Sequence, residues 1–317
     1  MTQIIKNAVL PATLRPGDRV RFVSPASPVP KDGIGTKVLE DLGLLVEYGE
    51  HVYDVDDTID YLAGKDEDRL ADINEALRDP GIKAIIATRG GKGAYRIADG
   101  LDFEAAHKHP KLLVGFSEIT ILHMALLKHG IRGGIHGAPW GESFGKETAA
   151  SFIKAVTTAD RIAIHSTKKV HTHALTTQGK AEGILVGGNQ DSIATAAGWA
   201  LPNFDNAILL LEATNMRIGH IDRQLTMLIN SGIIKNIVGV AIGQYTECGN
   251  ATDPTGSTKC TEIDILRDRF GQLGVPILGG LPIGHGKNPI ALPIGTKATL
   301  DADAGALTVA AGVRMDY

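Results

Sequence analysis

The 317-residue sequence has few of the residues that would indicate several common partners. It contains only two cysteines, Cys248 and Cys260, and their spacing matches no zinc or redox motif, so we expect a reducing compartment. Aromatic residues make up 5% of the chain and the formal net charge is −4. The sequence therefore lacks the stacking residues and the basic surface that nucleic-acid-binding proteins use, and we expect no nucleic-acid partner.

Long apolar segments are also missing. No run approaches the roughly 20 residues that a membrane-spanning helix needs, so we expect no membrane partner. The first 20 residues contain Lys6, Pro11 and Pro16 and have no continuous apolar stretch. We therefore expect no secretory signal and a cytoplasmic location.

The first half of the chain alternates short apolar runs with helical patterns. Leu70, Ile73 and Leu77 recur at helical spacing, and Pro80 then provides a stop signal. Apolar runs at 83–88 and 111–115 each lead into a corner that contains glycine. Such alternation predicts an α/β domain with a parallel sheet, whose ligands usually bind beyond the carboxyl ends of the strands.

The pattern changes after about residue 145, and the length of the chain suits two domains. The segment 161–183 is polar and strand-like, and its histidines, His171 and His173, are expected at the surface. We predict an N-terminal α/β domain over residues 1–165, a linker over 166–180 and a β-rich C-terminal domain over 181–317.

A single serine, Ser117, lies at the corner between a buried strand and a helical pattern in KLLVGFSEIT. Taken alone, it is best explained as a helix N-cap, with Thr120 in the first turn. The same corner would expose a nucleophile at the positive end of a helix, where backbone N–H groups can stabilise an oxyanion. The α/β-hydrolase elbow G-x-S-x-G is not present, because its fifth position is Ile119.

A glycine-rich turn, RGGKGAYR, follows the preceding apolar run. Gly90, Gly91 and Gly93 fit neither a Walker A loop nor a dinucleotide-binding fingerprint. Adjacent glycines would let the backbone approach a ligand closely or point an N–H group at an oxyanion. A tight strand–helix turn would explain them equally well.

Two further residues could complete a catalytic set. Glu212 follows the apolar run 207–211, where a solvated strand end is a common alternative explanation. His285 lies in a Gly/Pro-framed loop, but it is one of 11 histidines in the chain. In the chain order Ser117, Glu212 and His285, the three offer a nucleophile, an orienting acid and a base.

The chain as a whole resembles the serine LD-carboxypeptidases, the family that includes the microcin C self-immunity peptidases. The resemblance is carried, in the family's order, by SPASP, RGGKGAYR, PKLLVGFSEIT, HGAP, VGGN, LLLEATN, IDRQLTMLINSG and GLPIGH. It implies an N-terminal parallel-sheet domain like that of flavodoxin or glutamine amidotransferases, a C-terminal β-rich domain and an active site between them. It also implies a homodimer.

By position, the resemblance assigns the nucleophile to Ser117, the acid to Glu212 and the base to His285. The oxyanion donors would be the backbone N–H groups of Gly91 and Glu118. The chemistry implied is that of a serine protease acting through an acyl-enzyme, which needs no metal and no cofactor.

The implied activity is removal of a C-terminal D-amino acid from a murein-derived tetrapeptide, a step in peptidoglycan recycling. One alternative is a microcin-immunity-type hydrolase that cuts an aminoacyl–nucleotide amide. Members of that branch carry a stacking aromatic residue in an active-site loop, whereas residues 141–198 contain no tryptophan. Another amide substrate and a non-enzymatic binding protein on the same scaffold are further alternatives. The partner in the enzymatic cases is a small peptide or a peptide-nucleotide.

Candidate substrate-binding residues are Arg89, Gly90 and Asn189. The chain also departs from the family's pattern at several positions, which puts the identity of the substrate in doubt more than the chemistry. The departures are Glu118 for the usual Asp, Ala138 for a common proline, Met216 for a second acid, and Gly219 and His220 for a Tyr-Arg pair.

Overall fold

The chain forms two β-sheets against which its helices pack, in a computed structural model that describes residues 9–29, 33–139, 141, 144–249 and 259–315. The first sheet has the spatial order β11-β5-β4-β3-β1-β2, and only the contact of β11 with β5 is antiparallel. Its strands are β1 (Arg19–Val23), β2 (Leu45–Tyr48), β3 (Ile82–Ala87), β4 (Leu112–Gly115), β5 (Gly134–His136) and β11 (Leu292–Pro293).

The second sheet combines a parallel half with an antiparallel half. Its order is β10-β9-β8-β7-β12-β13-β6, and β7 to β10 run parallel. Its strands are β6 (Ile162–His165), β7 (Lys180–Asn189), β8 (Ala207–Thr214), β9 (Gly239–Thr246), β10 (Ile277–Leu278), β12 (Lys297–Asp301) and β13 (Ala306–Val309). The expected parallel N-terminal sheet and β-rich second domain are confirmed.

The amphipathic helix expected before Pro80 is confirmed. It ends at Arg78, and Asp79 is extended because the following proline ring excludes the helical region. The α-helices of the described residues are α1 (Lys37–Asp41), α2 (Asp66–Arg78), α3 (Phe103–Lys108), α4 (Ile119–Lys128), α5 (Lys146–Thr157), α6 (Gln190–Ala196), α7 (Ile218–Asn230) and α8 (Glu262–Gly271).

The prediction of a strand through His171 and His173 is wrong, because residues His171–Leu175 form a 3₁₀ helix. The reason is tertiary. The Thr172 hydroxyl is buried, where it donates to the Gly243 carbonyl at 2.8 Å and accepts the Gly280 N–H at 3.0 Å. These contacts draw the polar segment onto the second sheet as a short turn of helix.

Each sheet contains one strand from the other predicted domain. Strand β6 pairs with β13 in the second sheet, although it precedes the boundary that we placed at residue 165. Strand β11 returns to the first sheet and pairs with β5. The larger hydrophobic core includes buried residues of both sheets, among them Ile135 and Leu185. The two sheets thus share one core, and the domain bounds of 1–165 and 181–317 with a linker over 166–180 stay a prediction.

Candidate active site

A cavity of about 1110 Å³ opens between the two sheets. It lies beyond the carboxyl ends of β3 and β4 on one side and of β7 and β8 on the other, as expected for an α/β protein. Its wall includes Gly90, Gly91, Ser117, Asn189, Met216 and His285.

Ser117 occupies a strained corner and is not a helix N-cap. Strand β4 ends at Gly115, and the N-cap of α4 is Glu118, so the simpler explanation of Ser117 is wrong. Its φ is 59°, a left-handed conformation that is uncommon for residues other than glycine. Such strain is concentrated at functional sites, where the surrounding structure holds it in place. The corner gives Ser117 a place on the cavity wall.

The glycine turn packs directly against this corner. A Cβ atom on Gly90 would lie 2.7 Å from the Ser117 Cβ and 3.1 Å from the backbone nitrogen of Glu118. A side chain at Gly90 would therefore displace the predicted nucleophile. Among the hydrogen bonds of the described residues, none uses the N–H of Gly91 or of Glu118. These two N–H groups are thus available to an oxygen atom beside Ser117.

Glu212 and His285 form a hydrogen-bonded pair, in which Glu212 is fully buried and His285 lies on the cavity wall with 19% of its side chain exposed. Glu212 lies in β8 at an irregularity in its pairing with β9, and such bulges redirect side chains. Its carboxylate is fully buried, and its Oε2 lies 2.7 Å from His285 Nδ1. A Cβ on Gly284 would lie 2.5 Å from the same Oε2, and Gly284 has a φ of 108°, so only glycine fits beside the pair.

The electrostatic attraction between Glu212 and His285 sets the protonation states of both groups. Burial by itself would lower the pKa of His285, but the Glu212 carboxylate outweighs it and raises that pKa above its usual value. Burial would likewise raise the pKa of Glu212, but His285 lowers it below the usual value. An ionised Glu212 accepts the Nδ1–H of His285, which leaves the lone pair of the neutral imidazole on Nε2.

His285 and Ser117 both line the cavity, but none of the hydrogen bonds of the described residues joins them. The ring of Phe116, the neighbour of Ser117, lies 4.9 Å from the ring of His285, measured between centroids. The predicted nucleophile and the predicted base therefore line the same cavity. Catalytic contacts often tighten only once substrate is bound.

Sequence reasoning missed a second histidine beside the carboxylate. His136, at the end of β5, is 1% exposed, and its Nε2 lies 4.0 Å from Glu212 Oε1. Burial lowers its pKa to about 4, so the ring is neutral at pH 7. The HGAP motif marked this position, but nothing in the sequence connected it with Glu212.

The three candidate substrate-binding residues lie on the cavity wall in different settings. Arg89 is exposed, and Gly90 packs against Ser117. Asn189 is 7% exposed; its amide nitrogen donates to Glu212 Oε1 at 3.2 Å, and its side-chain oxygen accepts the Ser192 N–H. Asn189 is therefore hydrogen-bonded both to Glu212 and to the first turn of α6.

Several departures from the family's pattern also line the cavity, namely Glu118, Ala138, Met216 and His220. Among the described residues, one group of side chains could hold a metal ion, and it consists of His51, Asp54 and Asp68. None of the three is on the cavity wall. No helix in the described part of the chain is both long enough and apolar enough to cross a membrane.

A serine on a strained corner, on the same cavity as an imidazole that is hydrogen-bonded to a buried carboxylate, is the layout of a serine hydrolase. Comparisons with known proteins agree with this class. The model of the LD-carboxypeptidase N-terminal domain matches residues 20–137, and that of the LD-carboxypeptidase C-terminal domain matches residues 182–300.

Relatives and solved structures match along almost the whole chain. A probable murein peptide carboxypeptidase of Bacillus subtilis is 32% identical and covers 96% of this chain and 95% of its own. A murein tetrapeptide carboxypeptidase of Pseudomonas aeruginosa is 29% identical, with coverage of 90% and 94%. The structure of MccF in complex with glutamyl sulfamoyl guanosine superposes with a TM-score of 0.81, at 22% identity and coverage of 95% and 98%.

The chain belongs to the LD-carboxypeptidase family. It is an enzyme, a hydrolase of the serine carboxypeptidase class, and the resemblance identified from the sequence motifs is confirmed. The alternative of a binding protein without activity receives no support from these relatives.

Proposed function

We propose that this protein removes the C-terminal D-amino acid from a murein-derived tetrapeptide by hydrolysing an LD-peptide bond. The observation that carries the chemistry is the Glu212–His285 hydrogen bond on the cavity that Ser117 also lines. The names of the murein carboxypeptidase relatives support the choice of substrate.

The mechanism follows from the positions of these groups. His285 Nε2 takes the hydroxyl proton of Ser117 as Oγ attacks the carbonyl carbon of the scissile bond. Glu212 stabilises the imidazolium that forms. The negative oxygen of the tetrahedral intermediate accepts the N–H groups of Gly91 and Glu118.

Collapse of this intermediate breaks the C–N bond, and the leaving amine takes the proton from His285. The D-amino acid departs, and the shortened peptide remains as an ester on Ser117. Water then gives a proton to His285 and attacks the ester carbonyl, and the second collapse returns the proton to Ser117 Oγ. No metal and no cofactor enters these steps.

Substrate binding would use the charged groups at the mouth of the cavity. Arg89 precedes the glycine turn and Lys92 lies within it, and both are exposed on the cavity wall. A guanidinium beside the oxyanion donors is suited to the free carboxylate of a C-terminal residue. We propose Arg89 as the carboxylate-binding residue, Gly90 as the backbone surface beside the scissile carbonyl, and Asn189 as a wall residue that also holds Glu212.

The main alternative is hydrolysis of an aminoacyl–nucleotide amide, as suggested by the ligand in the MccF complex. A nucleobase would need a stacking aromatic residue. Trp199 is 36% exposed and its indole N–H donates to the Thr195 carbonyl at 2.7 Å, but it is not among the described residues that line the cavity. Trp140 lies outside the described residues. Tyr95, Phe116 and Phe144 do line the cavity, so its wall offers aromatic rings to either substrate. The preference for the carboxypeptidase activity therefore rests on the names of the murein carboxypeptidase relatives.

Location and assembly belong to the same proposal. Cys248 and Cys260 are both free thiols, which suits a reducing compartment, so we propose a cytoplasmic location. We also propose a homodimer, on the basis of the family resemblance. Light scattering of the purified protein at micromolar concentration tests the dimer directly.

The activity is tested with purified protein and its Ser117→Ala variant. Each is incubated with L-Ala–D-Glu–meso-diaminopimelate–D-Ala and, separately, with an aminoacyl sulfamoyl nucleotide, and the products are identified by mass spectrometry. We expect the wild type to release D-alanine and the variant, checked for folding by thermal unfolding, to release none. Cleavage of the nucleotide substrate alone would contradict the murein proposal and favour the alternative.

A further inference from the structure

The glycine turn beside Ser117 is held by two buried charged side chains. The N–H of Gly93 donates to Glu118 Oε1 at 2.7 Å, and the carbonyl of Gly93 accepts Arg69 Nη1 at 3.0 Å. Glu118 is 6% exposed and Arg69 is 1% exposed. One residue of the turn, Gly93, is therefore hydrogen-bonded on both sides to ionisable groups that are almost fully buried.

The other end of the turn is held by Ser27. Its N–H donates to the Gly90 carbonyl at 3.3 Å, and its hydroxyl oxygen accepts the Lys92 N–H at 3.0 Å. Arg69 also donates to the Pro25 carbonyl at 2.6 Å, so it ties the segment around Ser27 to the same turn. Gly91 lies between these fixed points, and in the described part of the chain its N–H has no hydrogen-bond partner.

The carboxylate of Glu118 is held by backbone N–H groups of the turn and not by a charged partner. Burying a charge is costly unless a charged partner offsets it, and among the described residues no cation lies within ion-pairing distance of Glu118. Burial raises the pKa of Glu118 to about 7, against the opposing effect of the N–H groups of Gly93 and Tyr95. An apolar side chain of the same size would leave the N–H groups of Gly93 and Tyr95 without this acceptor.

We propose that Glu118 and Arg69 are positioning residues that hold the N–H of Gly91 in place as an oxyanion donor. Glu118 then has two roles in the same site. Its own N–H is the second donor, and its carboxylate fixes the turn that carries the first, so the residue sets the distance between the two donors. The inference rests on the proposed role of Ser117 and assigns no new substrate.

A test needs a readout that does not depend on the substrate. A fluorophosphonate phosphonylates an activated serine: Oγ bonds to phosphorus, the P–F bond breaks, and the base takes the hydroxyl proton. The oxyanion donors stabilise that transition state as they do in amide hydrolysis. The rate of labelling of Ser117 is measured by intact mass, with peptide mapping to confirm the site and Ser117→Ala as the blank.

The matched pair of variants is Glu118→Met and Glu118→Gln. Both side chains are close to glutamate in size, but only glutamine offers an oxygen to the Gly93 N–H. We expect Glu118→Met to lower the labelling rate by roughly 10- to 100-fold and Glu118→Gln to stay within about threefold of wild type. If Glu118→Met does not fold, Glu118→Ala carries the same expectation.

The control for general destabilisation is Asp72→Leu. Asp72 is also a buried carboxylate, 3% exposed, that accepts a backbone N–H, from His51 at 3.0 Å, but it does not line the cavity. We expect this variant to unfold at lower temperature and to label Ser117 at the wild-type rate.

The outcomes separate the two proposals. Labelling of folded Glu118→Met or Glu118→Ala at the wild-type rate would overturn the positioning role while leaving Ser117 as the nucleophile. An equal loss in Asp72→Leu would overturn it as well, because the effect would then be one of stability. Failure of wild-type Ser117 to react would remove the proposed mechanism, and the positioning role with it.

Discussion

The two walls of the cavity achieve their geometry by different means. On the wall formed by the first sheet, main-chain shape places the reactive group, since Ser117 has a φ of 59° and Gly90 packs against it. On the wall formed by the second sheet, side-chain charge does so, since the fully buried Glu212 carboxylate lies 2.7 Å from His285. Substitutions that add atoms to the first wall should lower the activity, and so should substitutions that change a charge on the second wall.

The difference matches what each wall has to do. A nucleophile and its oxyanion donors must meet a substrate carbonyl at fixed distances, and backbone groups supply such donors with little freedom to move. A base must hold a proton at one step and release it at the next, and a buried carboxylate tunes that affinity strongly in a low dielectric. Glu212→Gln changes only the second wall, Gly90→Ala changes only the first, and Asn189→Ala changes the contact between them.

The largest effect is expected from Glu212→Gln, which removes charge and keeps shape. The base must be neutral to accept the proton of Ser117, so wild-type kcat/KM falls as the pH drops through the raised pKa of His285. Without the carboxylate, burial lowers that pKa, and the acid limb should move to lower pH. We also expect kcat to fall on the order of 10⁴-fold, as for the acid of other serine triads.

A pH–rate profile of kcat/KM measures both changes. The control is Glu262→Gln, which breaks a similar Glu–His contact of 3.1 Å to the half-exposed His171, away from the cavity. That variant should keep the wild-type rate and profile. An acid limb that stays in place in Glu212→Gln would show that the carboxylate does not set the basicity of His285.

The first wall is tested by Gly90→Ala, which adds one carbon and no charge. The new Cβ would lie 2.7 Å from the Ser117 Cβ, so the nucleophile or the donor turn has to shift. We expect kcat to fall by roughly 10²-fold, the scale of losing one oxyanion donor, with the pH profile unchanged. Steady-state kinetics across pH give both quantities.

Gly271→Ala provides the comparison for this change. Gly271 ends α8, and a Cβ there meets no atom within 4 Å, so activity should be unaffected. If Gly90→Ala shifted the acid limb as Glu212→Gln does, the separation of the two walls would be wrong.

The sequence predicted the alternation of the first sheet, the helix before Pro80 and the corner at Ser117, because local patterns specify each of them. It did not predict the exchange of β6 and β11 between sheets, since strand pairing depends on contacts distant in the chain. The 3₁₀ helix at His171–Leu175 was mistaken for a strand for the same reason.

For the site, the family resemblance supplied what single residues could not. Ser117, Glu212 and His285 were each explained as well by an ordinary structural role. The contacts of Glu118, Arg69 and His136 were not predicted, because a buried charge or imidazole acquires its partner only when distant segments meet. The N-cap explanation of Ser117 was wrong because propensity does not reveal a positive φ.

The smallest effect is expected from Asn189→Ala, which acts where the walls meet. The residue caps α6 and donates to Glu212, and its backbone N–H donates to Thr120 of the nucleophile's helix at 3.0 Å. Only the side-chain bonds are lost, so we expect kcat/KM to fall about 10-fold and stability by about 1–2 kcal/mol. Urea unfolding and steady-state kinetics measure these changes.

The control for this variant is Asn203→Ala, an exposed asparagine whose amide donates to Asp205. It should leave the activity unchanged. A loss of stability in Asn189→Ala without any loss of activity would show that the link to Glu212 has no part in catalysis.

The central claim is that Ser117 carries the acyl group during turnover. The most direct measurement is an acid quench of the wild-type enzyme while it turns over the murein tetrapeptide, followed by peptide mass mapping. We predict an adduct with the mass of the tripeptide acyl group on the peptide that contains Ser117. Release of D-alanine with the adduct on another side chain would contradict the account.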